Sequence, residues 1–404
     1  MDENRKGEIA LKKLLVLNGS HSDIPLIKAG KELGYYVITT GNRPELIGHQ
    51  YADEYVYGDF SDVDEMYSIF KNYGLDGVCA CANDFGAITA SYLAEKLGLP
   101  GHDSYEKTLL LHHKDRFKEF SKKYHIPTPI AEHFSDIQDA LMYEKKVIFP
   151  VMVKPIDLTG GKGVTKVECR EDYAAAVRYA FSISRAKVIV VEPFIEGTQH
   201  SFSTFLVNGK VAAYFSDNEY SMDNPFLVST SCGPATKVEY AKKILIETAE
   251  KIADILKLRD GVFHYQYIRD KENNPHILEI TRRCSGDLYN VPVEHSTGIE
   301  WAKWIVKSEL GMSCEDFPRN TVQSVYGGRH CIMGNRNGIV KDIYISPQIC
   351  NNIYDKFMWG GQGYIIENFM VDKVGIVFLE FDNYEEMIEK TENIDKYIRI
   401  IYED

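Results

Sequence analysis

The sequence predicts an α/β unit followed by mixed α+β structure. In the first hundred residues, strand patterns at Leu14–Leu17 and Tyr35–Thr39 flank a helical pattern at Ile24–Leu33. Short strands that alternate with helices predict a parallel sheet covered on both faces. After Phe149 the order changes to strand, glycine-rich loop, strand, helix and strand, which predicts an α+β lid. After Pro318 the pattern is typical of short strands with one helix near the end.

The middle of the chain contains further recognisable elements. Asn208-Gly209 predicts a hairpin turn. Val238–Leu256 has apolar residues at helical spacing, and Val262–Arg269 and Pro275–Ile280 are predicted as two strands joined by a polar turn. The segment Tyr214–Thr236 is rich in polar residues and is predicted to be a long loop that faces a substrate.

Composition narrows the class of protein. The chain has 404 residues, of which 44% are hydrophobic and 26% charged, as in a globular protein of roughly two to four packed units. The net charge of −13 argues against nonspecific binding to nucleic acids or anionic membranes, because both need basic surfaces. No apolar stretch is long enough for a membrane span, and Met1–Leu11 has no secretory apolar region, so we expect a cytoplasmic protein.

Two local motifs are interpreted as structural. The eight cysteines are scattered, which predicts reduced thiols, and Cys79 and Cys81 have no second pair to complete a metal site. Asn18-Gly19-Ser20 follows the first strand, but the Gly-x-Gly-x-x-Gly spacing of a dinucleotide-binding loop is absent. We therefore predict neither a cysteine metal site nor a nicotinamide cofactor.

A lysine and a glycine-rich loop together indicate a phosphate-binding site. Lys154 ends an apolar strand, and the loop Thr159–Gly163 follows directly. Glycines expose backbone N–H groups and let the chain close over phosphate oxygens. Taken alone, Lys154 is equally consistent with a surface lysine and the loop with a hairpin turn. Lys162 either reaches a γ-phosphate or serves solubility.

Two regions carry carboxylates at informative positions. Glu192 ends an apolar strand, where it either accepts from an adenine amino group or is simply solvated. Glu279 lies inside a β-rich run, and Thr281 shares its face because side chains alternate along a strand. Gln266, on the preceding strand, completes an oxygen cluster suited to Mg²⁺. The alternative is a buried ion pair between Glu279 and Arg283 without a metal.

In this order and at these spacings, the motifs resemble those of the ATP-grasp superfamily, in its carboxylate–amine ligase and carbamoyl-phosphate-synthetase-like branch. The resemblance runs from about Leu14 to the C-terminal region. It implies an N-terminal parallel-sheet (pre-ATP-grasp) domain, a lid subdomain, a metal and substrate subdomain, and a C-terminal mixed α+β region. The corresponding predicted boundaries are 1–112, 113–196, 197–315 and 316–404.

The resemblance also implies a set of site residues. Nucleotide contacts are predicted at Lys114, Lys154, Gly160, Gly161, Lys162, Gly163, Glu192, Pro193, Phe194, Ile195 and His200. Of these, Glu192 would take the adenine amino group and His200 the ribose. Metal ligands are predicted at Gln266, Glu279 and Thr281. Residues predicted to act on the transferred phosphoryl group are Lys154, Arg283 and His264.

The chain departs from the family pattern at three of these positions. Thr281 stands where the family usually has asparagine, and Gln266 replaces the commoner carboxylate, which leaves open whether one or two Mg²⁺ ions bind. His264 stands where many of these ligases have an arginine. Stabilisation of the oxyanion is therefore predicted to come from Arg283 or from a protonated His264.

The activity that the resemblance implies is an ATP-dependent ligation. A carboxylate would be activated as an acyl phosphate and joined to an amine, with release of ADP and phosphate, and with Mg²⁺ or Mn²⁺ as the metal. Amino acids are the expected substrates, with Asp217 or Glu219 for an ammonium group and Arg329 for a carboxylate. A homodimer through the first domain is expected by family analogy.

Two other functions remain open at this point. The first is carboxyphosphate chemistry with bicarbonate, which would use the same ATP site. The second is a nonenzymatic ATP-binding subunit, which would tolerate the departures at Thr281 and Gln266.

Overall fold

The computed structural model describes residues 11–80, 82–158, 161–319 and 323–403. The strands, numbered along the chain, are β1 Lys13–Leu17, β2 Tyr36–Gly41, β3 Glu54–Tyr57, β4 Gly77–Cys79, β5 Glu132–Phe134, β6 Val151–Pro155, β7 Thr165–Val167, β8 Ile189–Pro193, β9 Gly197–Val207, β10 Lys210–Ser221, β11 Val228–Gly233, β12 Gly261–Asp270, β13 Pro275–Thr281, β14 Tyr326–Met333, β15 Gly338–Ile345, β16 Ile353–Met358, β17 Ile365–Ile366, β18 Lys373–Phe381 and β19 Ile398–Tyr402. The helices are α1 Ile24–Glu32, α2 Val63–Phe70, α3 Asp84–Leu97, α4 Tyr105–His112, α5 Lys114–Tyr124, α6 Ile137–Met142, α7 Arg170–Ile183, α8 Val238–Leu256, α9 Asn290–Thr297, α10 Trp301–Glu309, α11 Pro347–Cys350, α12 Tyr384–Glu392 and α13 Ile394–Tyr397.

The first of two compact units contains the residues up to 105 together with the later segments 283–288 and 300–316. Its sheet has the order β3-β2-β1-β4, and all its pairings are parallel, which confirms the predicted parallel sheet. Helix α10, from the second of these later segments, packs against α1. The Glu309 carboxylate at the end of α10 accepts a hydrogen bond of 2.7 Å from the Ala80 backbone N–H.

The second unit is built on an eight-stranded sheet with the order β13-β12-β9-β10-β11-β14-β18-β16. Strands β13, β12, β9 and β10 of this sheet place apolar side chains on one face and a row of polar side chains on the other. The faces differ because alternate residues of a strand point in opposite directions. Helix α8 lies against the apolar face. The buried cluster there includes Phe202, Leu206, Ala241, Leu245, Ala249, Ile252, Phe263, Tyr265, Tyr267, Ile277 and Ile280.

The second unit also contains the predicted lid. Its four strands have the order β5-β8-β6-β7, and α6 and α7 pack with them. The chain runs from β6 through the glycine-rich loop to β7, α7 and β8, which is the predicted succession of elements. Val153, Val177 and Ile189 lie in its fully buried core.

The segment Tyr214–Thr236 is not the predicted long loop. Strand β10 continues to Ser221 and pairs with both β9 and β11. The polar residues misled the prediction because Asp217 and Asn218 are buried within the sheet. Each finds polar partners on neighbouring strands, so polarity here indicates a site within the sheet and not a solvated loop.

The C-terminal residues of the second unit extend the central sheet and add a small one. The small sheet has the order β17-β15-β19, and a separate apolar cluster holds it with β18 and α12. The division into four domains stays a prediction, since the chain separates into the two units given above. In the part of the chain that the structure describes, the cysteines are not disulfide-bonded, and no helix has the length and apolar character of a membrane span.

The contact between α8 and the central sheet can be tested with two neighbouring residues. Leu245→Ala is expected to lower the free energy of unfolding by about 2–5 kcal/mol, because a fully buried leucine is lost. Ile244→Ala, on the same helix but 39% exposed, is the control and should cost much less. Urea unfolding measures both values. Equal losses would contradict the described face of α8.

Candidate active site

Four antiparallel strands bring one polar side chain each into a line across the central sheet. Gln266 pairs in register with Glu279 on one side and with Ser201 on the other. Ser201 pairs in turn with Asp217. Directly paired residues in antiparallel strands share a face, so Glu279, Gln266, Ser201 and Asp217 form a continuous polar row. The row lies on the face opposite α8.

At one end of the polar row, Glu279 lies beside a lysine. The Lys114 ammonium is 3.9 Å from the Glu279 carboxylate, and both side chains are partly accessible. The same ammonium donates to the Leu158 carbonyl at 3.2 Å. Leu158 immediately precedes the glycine-rich loop. Lys114 therefore connects the carboxylate predicted to bind a metal with the loop predicted to bind phosphate.

The polar row offers oxygen atoms that suit a magnesium ion. Gln266 donates its amide N–H groups to the Glu219 carboxylate oxygens at 3.0 and 3.2 Å, which turns its amide oxygen away from Glu219. Thr281 is buried, and its hydroxyl has no hydrogen-bond partner among the described residues. The described chain contains no cluster of three His, Cys, Asp or Glu residues that could hold a metal. One carboxylate with neutral oxygens fits Mg²⁺, which keeps several other ligands such as phosphate or water.

At the other end of the polar row, Asp217 lies two residues from a second carboxylate on β10, Glu219. The Asp217 carboxylate accepts from the Ser201 hydroxyl and from Tyr289 Oη, the latter at 3.4 Å. The Glu219 carboxylate accepts from the Gln199 amide at 2.8 Å. Burial raises the pKa of both Asp217 and Glu219, and the charge of Asp217 raises that of Glu219 further. Raised pKa values mean that the ionised carboxylates are unfavourable without a counter-charge, so a bound cation would stabilise their charged forms.

Arg329 is the cation closest in register to this acidic pair. It lies buried on β14, paired with Ser231 of β11, which is itself paired with Glu219. Its positive charge acts against the burial that raises the pKa of Asp217. The Arg329 guanidinium is 5.9 Å from the centroid of the Tyr289 ring. A positive and a negative group are thus available on one face of the sheet, on strands β14 and β10 that flank β11.

In the lid, Glu192 is held between two lysines. The Lys154 ammonium donates to one of its carboxylate oxygens, and the Lys118 ammonium lies 2.9 Å from the other. Glu192 and Lys118 are almost completely buried. Burial alone would raise the pKa of Glu192, but the two ammonium groups outweigh it and lower the pKa to about 2. Sequence reasoning missed Lys118, although its position one helical turn after Lys114 was a usable signal.

The hinge after β8 has one free backbone donor in the described structure. Pro193 has no N–H group, and the Phe194 N–H donates to the Pro150 carbonyl at 3.0 Å. No described hydrogen bond uses the Ile195 N–H. The Phe194 ring lies 3.9 Å from the Lys166 ammonium. Of the three predicted hinge contacts, the backbone of Ile195 is therefore the one available to a ligand.

The two histidines predicted in the site lie on opposite faces of the sheet. His264 is on the face of the polar row, pairs in register with Thr281, and has its Nδ1 2.6 Å from the Ser203 hydroxyl. His200 stacks on Tyr267 of the apolar face, and burial lowers its pKa to about 3. The predicted ribose contact of His200 gains no support from this position. Its neighbour Gln199 faces the same side as Glu219.

The glycine-rich loop is described only in part. Thr159 and Gly160 lie outside the described residues. Gly161 and Gly163 have φ angles of +72° and +74°, which favour glycine. A Cβ atom on Gly161 would come within 2.6 Å of Phe226, in the connection between β10 and β11. Lys162, between the two glycines, is exposed.

Arg283 belongs to the first unit. Its Nε donates to the Asp84 carboxylate at 2.7 Å, so it forms an ion pair at the start of α3. The preceding residue, Arg282, donates to the carbonyls of Val262 and Arg259, each at 2.6 Å, and has a structural role in the second unit. The predicted contact of Arg283 with a phosphoryl group stays a prediction.

Comparisons with known proteins agree with this arrangement. Residues 112–222 match the sequence family "Phosphoribosylglycinamide synthetase, ATP-grasp (A) domain". The carbamoyl phosphate synthase large chain of Clostridium acetobutylicum is 23% identical over 336 residues, which cover 79% of this chain. The match covers only 30% of that relative, so this chain spans less than a third of its length.

Solved structures show the same fold. The L-amino acid ligase from Bacillus licheniformis superimposes with a TM-score of 0.81 at 20% identity, over 97% of this chain and 99% of that one. Phosphoribosylglycinamide synthetase from Anaerococcus prevotii superimposes with a TM-score of 0.75 at 22% identity, over 97% and 100%.

The chain therefore has the fold of these solved structures, and its residues 112–222 match an ATP-grasp domain. The matched proteins named here are a synthase, a synthetase and a ligase.

The lysine–glutamate–lysine arrangement predicts a pH-dependent loss of stability in Glu192→Gln. Near pH 7 the substitution should lower the free energy of unfolding by about 3–5 kcal/mol, because two buried ammonium groups lose their counter-charge. The native pKa of about 2 lies below the unfolded value of about 4.3, so the stabilisation is present above about pH 5 and falls toward pH 2. The difference between variant and wild type should shrink over the same range.

Urea unfolding at several pH values measures this difference. Glu196→Gln, four residues later and exposed, is the matched control and should cost little. A difference between Glu192→Gln and wild type that does not change between pH 7 and pH 3 would contradict the ionised state of Glu192.

Proposed function

We propose that this chain is an ATP-dependent carboxylate–amine ligase that forms an acyl phosphate and releases ADP and phosphate. The observation that carries the proposal is the position of Lys114, between the Glu279 carboxylate and the carbonyl that precedes the glycine-rich loop. A lysine at this position lies beside both the proposed metal ligand Glu279 and the proposed phosphate-binding loop. Phosphoryl transfer depends mainly on positioning and on neutralising charge, which are the tasks these groups suit.

The nucleotide would be held by residues of the second unit. Lys114 and Lys154 would bind phosphate oxygens, and the N–H groups of the loop Gly160–Gly163 would close over them. The Ile195 N–H would donate to the edge of the adenine ring, while the Glu192 carboxylate would accept from its amino group. The match of residues 112–222 to an ATP-grasp domain supports this part of the proposal.

Gln266, Glu279 and Thr281 would hold Mg²⁺, or Mn²⁺, whose preference for oxygen ligands is similar. When bound, the ion neutralises the charge of the phosphate groups. The polar row keeps the amide oxygen of Gln266 available, because its N–H groups are occupied by Glu219. His264 would support the row through its bond to Ser203 and pairing with Thr281.

In the first step, a carboxylate oxygen of the substrate attacks the γ-phosphorus as the bond from that phosphorus to the bridging oxygen breaks. ADP leaves and an acyl phosphate forms. In the second step, the amine nitrogen attacks the acyl carbon, phosphate leaves, and the amine loses its proton. The lysines stabilise negative charge in the first step, and closure of the Gly160–Gly163 loop would exclude water until the second. Arg283 is retained as a proposed contact of the phosphoryl group.

We propose an amino acid as one substrate, bound over β10, β11 and β14. Glu219, with Asp217 behind it, would bind an ammonium group, and Arg329 would bind a carboxylate. Glu219 and Arg329 flank Ser231 in register, so the two charges are separated by about two strand spacings, roughly 10 Å between backbones. Both side chains are long, so the Glu219 carboxylate and the Arg329 guanidinium can lie closer together than the two backbones. Their separation can then approach that of the ammonium and carboxylate groups of an amino acid. A homodimer through the first domain is proposed by family analogy alone.

The reaction is tested by measuring ADP and phosphate released from MgATP with amino acids supplied singly and in pairs. Glu279→Ala should lower the rate by roughly 100-fold or more. The reason is that Glu279 is a proposed ligand of the metal ion that neutralises phosphate charge in the transition state. Glu272→Ala, in the exposed turn after β12, is the control and should keep the wild-type rate.

The outcomes separate the candidate functions. Release that requires two substrates supports a ligase, whereas release with bicarbonate alone supports carboxyphosphate chemistry. Binding of MgATP without release under any of these conditions would favour a nonenzymatic nucleotide-binding role and overturn the proposal.

The ammonium site is tested with Glu219→Gln once an active amine has been found. Its KM for the amine should rise roughly tenfold or more, because hydrogen bonds to charged groups contribute about 1.5–3 kcal/mol. The KM for ATP should change little. An equal rise in both KM values would show that Glu219 acts through Gln266 and not on the amine.

A further inference from the structure

We infer that Lys118 is a positioning residue of the nucleotide site, which acts through Glu192 and frees Lys154 to bind ATP. Lys118 belongs to the motif that resembles the family, from His113 to Lys118, but the resemblance gave the phosphate contact to Lys114 and no role to Lys118. The inference rests on the proposed function for the nucleotide itself. The inference adds Lys118, a residue that does not touch the nucleotide. It also explains how Lys154, which is held by the Glu192 carboxylate, becomes available to a phosphate.

The Lys118 ammonium is satisfied where it lies. It is 2.9 Å from a Glu192 carboxylate oxygen, 2.5 Å from the Thr128 hydroxyl and 3.3 Å from the Pro129 carbonyl. The contact with Glu192 is an ion pair, and the ammonium donates hydrogen bonds to Thr128 and Pro129. Its side chain is only 6% exposed. Lys118 is therefore placed to hold Glu192 and not to reach a ligand.

Lys154 differs from Lys118 in this respect. Its one recorded partner among the described residues is the Glu192 carboxylate. Two of its three donors are thus available, and its side chain is more exposed, at 13%. Lys154 is also the last residue but one of β6, five residues before the start of the glycine-rich loop. Of the two lysines on Glu192, Lys154 is the one that can turn toward a phosphate.

Charge balance explains why both lysines are needed. With two ammonium groups and one carboxylate, the buried trio has a net charge of +1. When Lys154 moves to a phosphate, Lys118 remains, and Glu192 keeps one counter-charge. Without Lys118, the same movement would leave a buried carboxylate unpaired, which is strongly unfavourable. Lys154 would then remain bound to Glu192, and binding of the nucleotide would weaken.

The same arrangement affects which nucleobase the site prefers. Lys118 keeps Glu192 ionised and fixed, so its carboxylate can only accept hydrogen bonds. The amino group of adenine is a donor and suits it, whereas guanine presents an acceptor oxygen at the equivalent position. Loss of Lys118 should therefore reduce the preference for ATP over GTP as well as the affinity for ATP.

The test is isothermal titration calorimetry of the full chain with MgATP and MgGTP. Lys118→Met should raise the Kd for ATP roughly tenfold or more, the loss typical of removing a group that orients a binding side chain. The ratio of Kd for GTP to Kd for ATP should fall. Lys122→Met, an exposed lysine on the same helix, is the matched control and should leave both values unchanged.

A double-mutant comparison shows whether Lys118 acts through Glu192. In a Glu192→Gln background, adding Lys118→Met should change the Kd for ATP little, because the carboxylate that Lys118 positions is already gone. A full Lys118→Met effect in that background would overturn the inference. Should Lys118→Met alone fail to fold, as judged by circular dichroism, the comparison of Glu192→Gln with the double variant provides the decision.

The remaining outcomes are also decisive. Wild-type affinity and base preference in a folded Lys118→Met variant would overturn this inference and leave the proposed function intact. Absence of MgATP binding by the wild-type chain would overturn both the proposed function and the inference.

Discussion

The register of four antiparallel strands determines which side chains of this protein can act together. Strands β13, β12, β9 and β10 contribute one residue each to the polar row, and their alternate residues form the apolar face against α8. A shift of one residue in any strand would exchange the two faces for that strand. The apolar packing against α8 and the alignment of the polar row are therefore consequences of the same backbone pairing.

Charge is distributed unevenly around this framework. The lid contains more positive than negative charge at Glu192, where two lysines meet one carboxylate. On β10 the balance is reversed, with two carboxylates held mainly by hydroxyl and amide groups. A polyanion such as a nucleotide phosphate would suit the first environment, and a cation such as an ammonium group would suit the second. In the proposed ligase, these two environments would keep the nucleotide and the amine apart.

Local patterns in the sequence predicted much of the fold and part of the site. The alternation of strands and helices predicted the parallel sheet, and Lys154 and Glu279 stood out as charged residues next to apolar strands. The prediction for Tyr214–Thr236 was wrong because polarity was interpreted as exposure. Ser201 and Tyr289 were missed because their roles depend on contacts with Asp217, distant in sequence. Strand pairing decides such contacts, and pairing cannot be deduced from one segment alone.

The first unit has a discontinuous chain, and this affects how it can form. Helix α10 is separated by about 270 residues from α1, against which it packs, and Glu309 bonds to the backbone after β4. The parallel strands can pair before α10 has been synthesised. Until then, however, the backbone N–H of Ala80 lacks its hydrogen bond to the Glu309 carboxylate. During synthesis on the ribosome, the first unit therefore stays incomplete until its segment 300–316 has been made, and a fragment ending near residue 105 would be an unfinished structure.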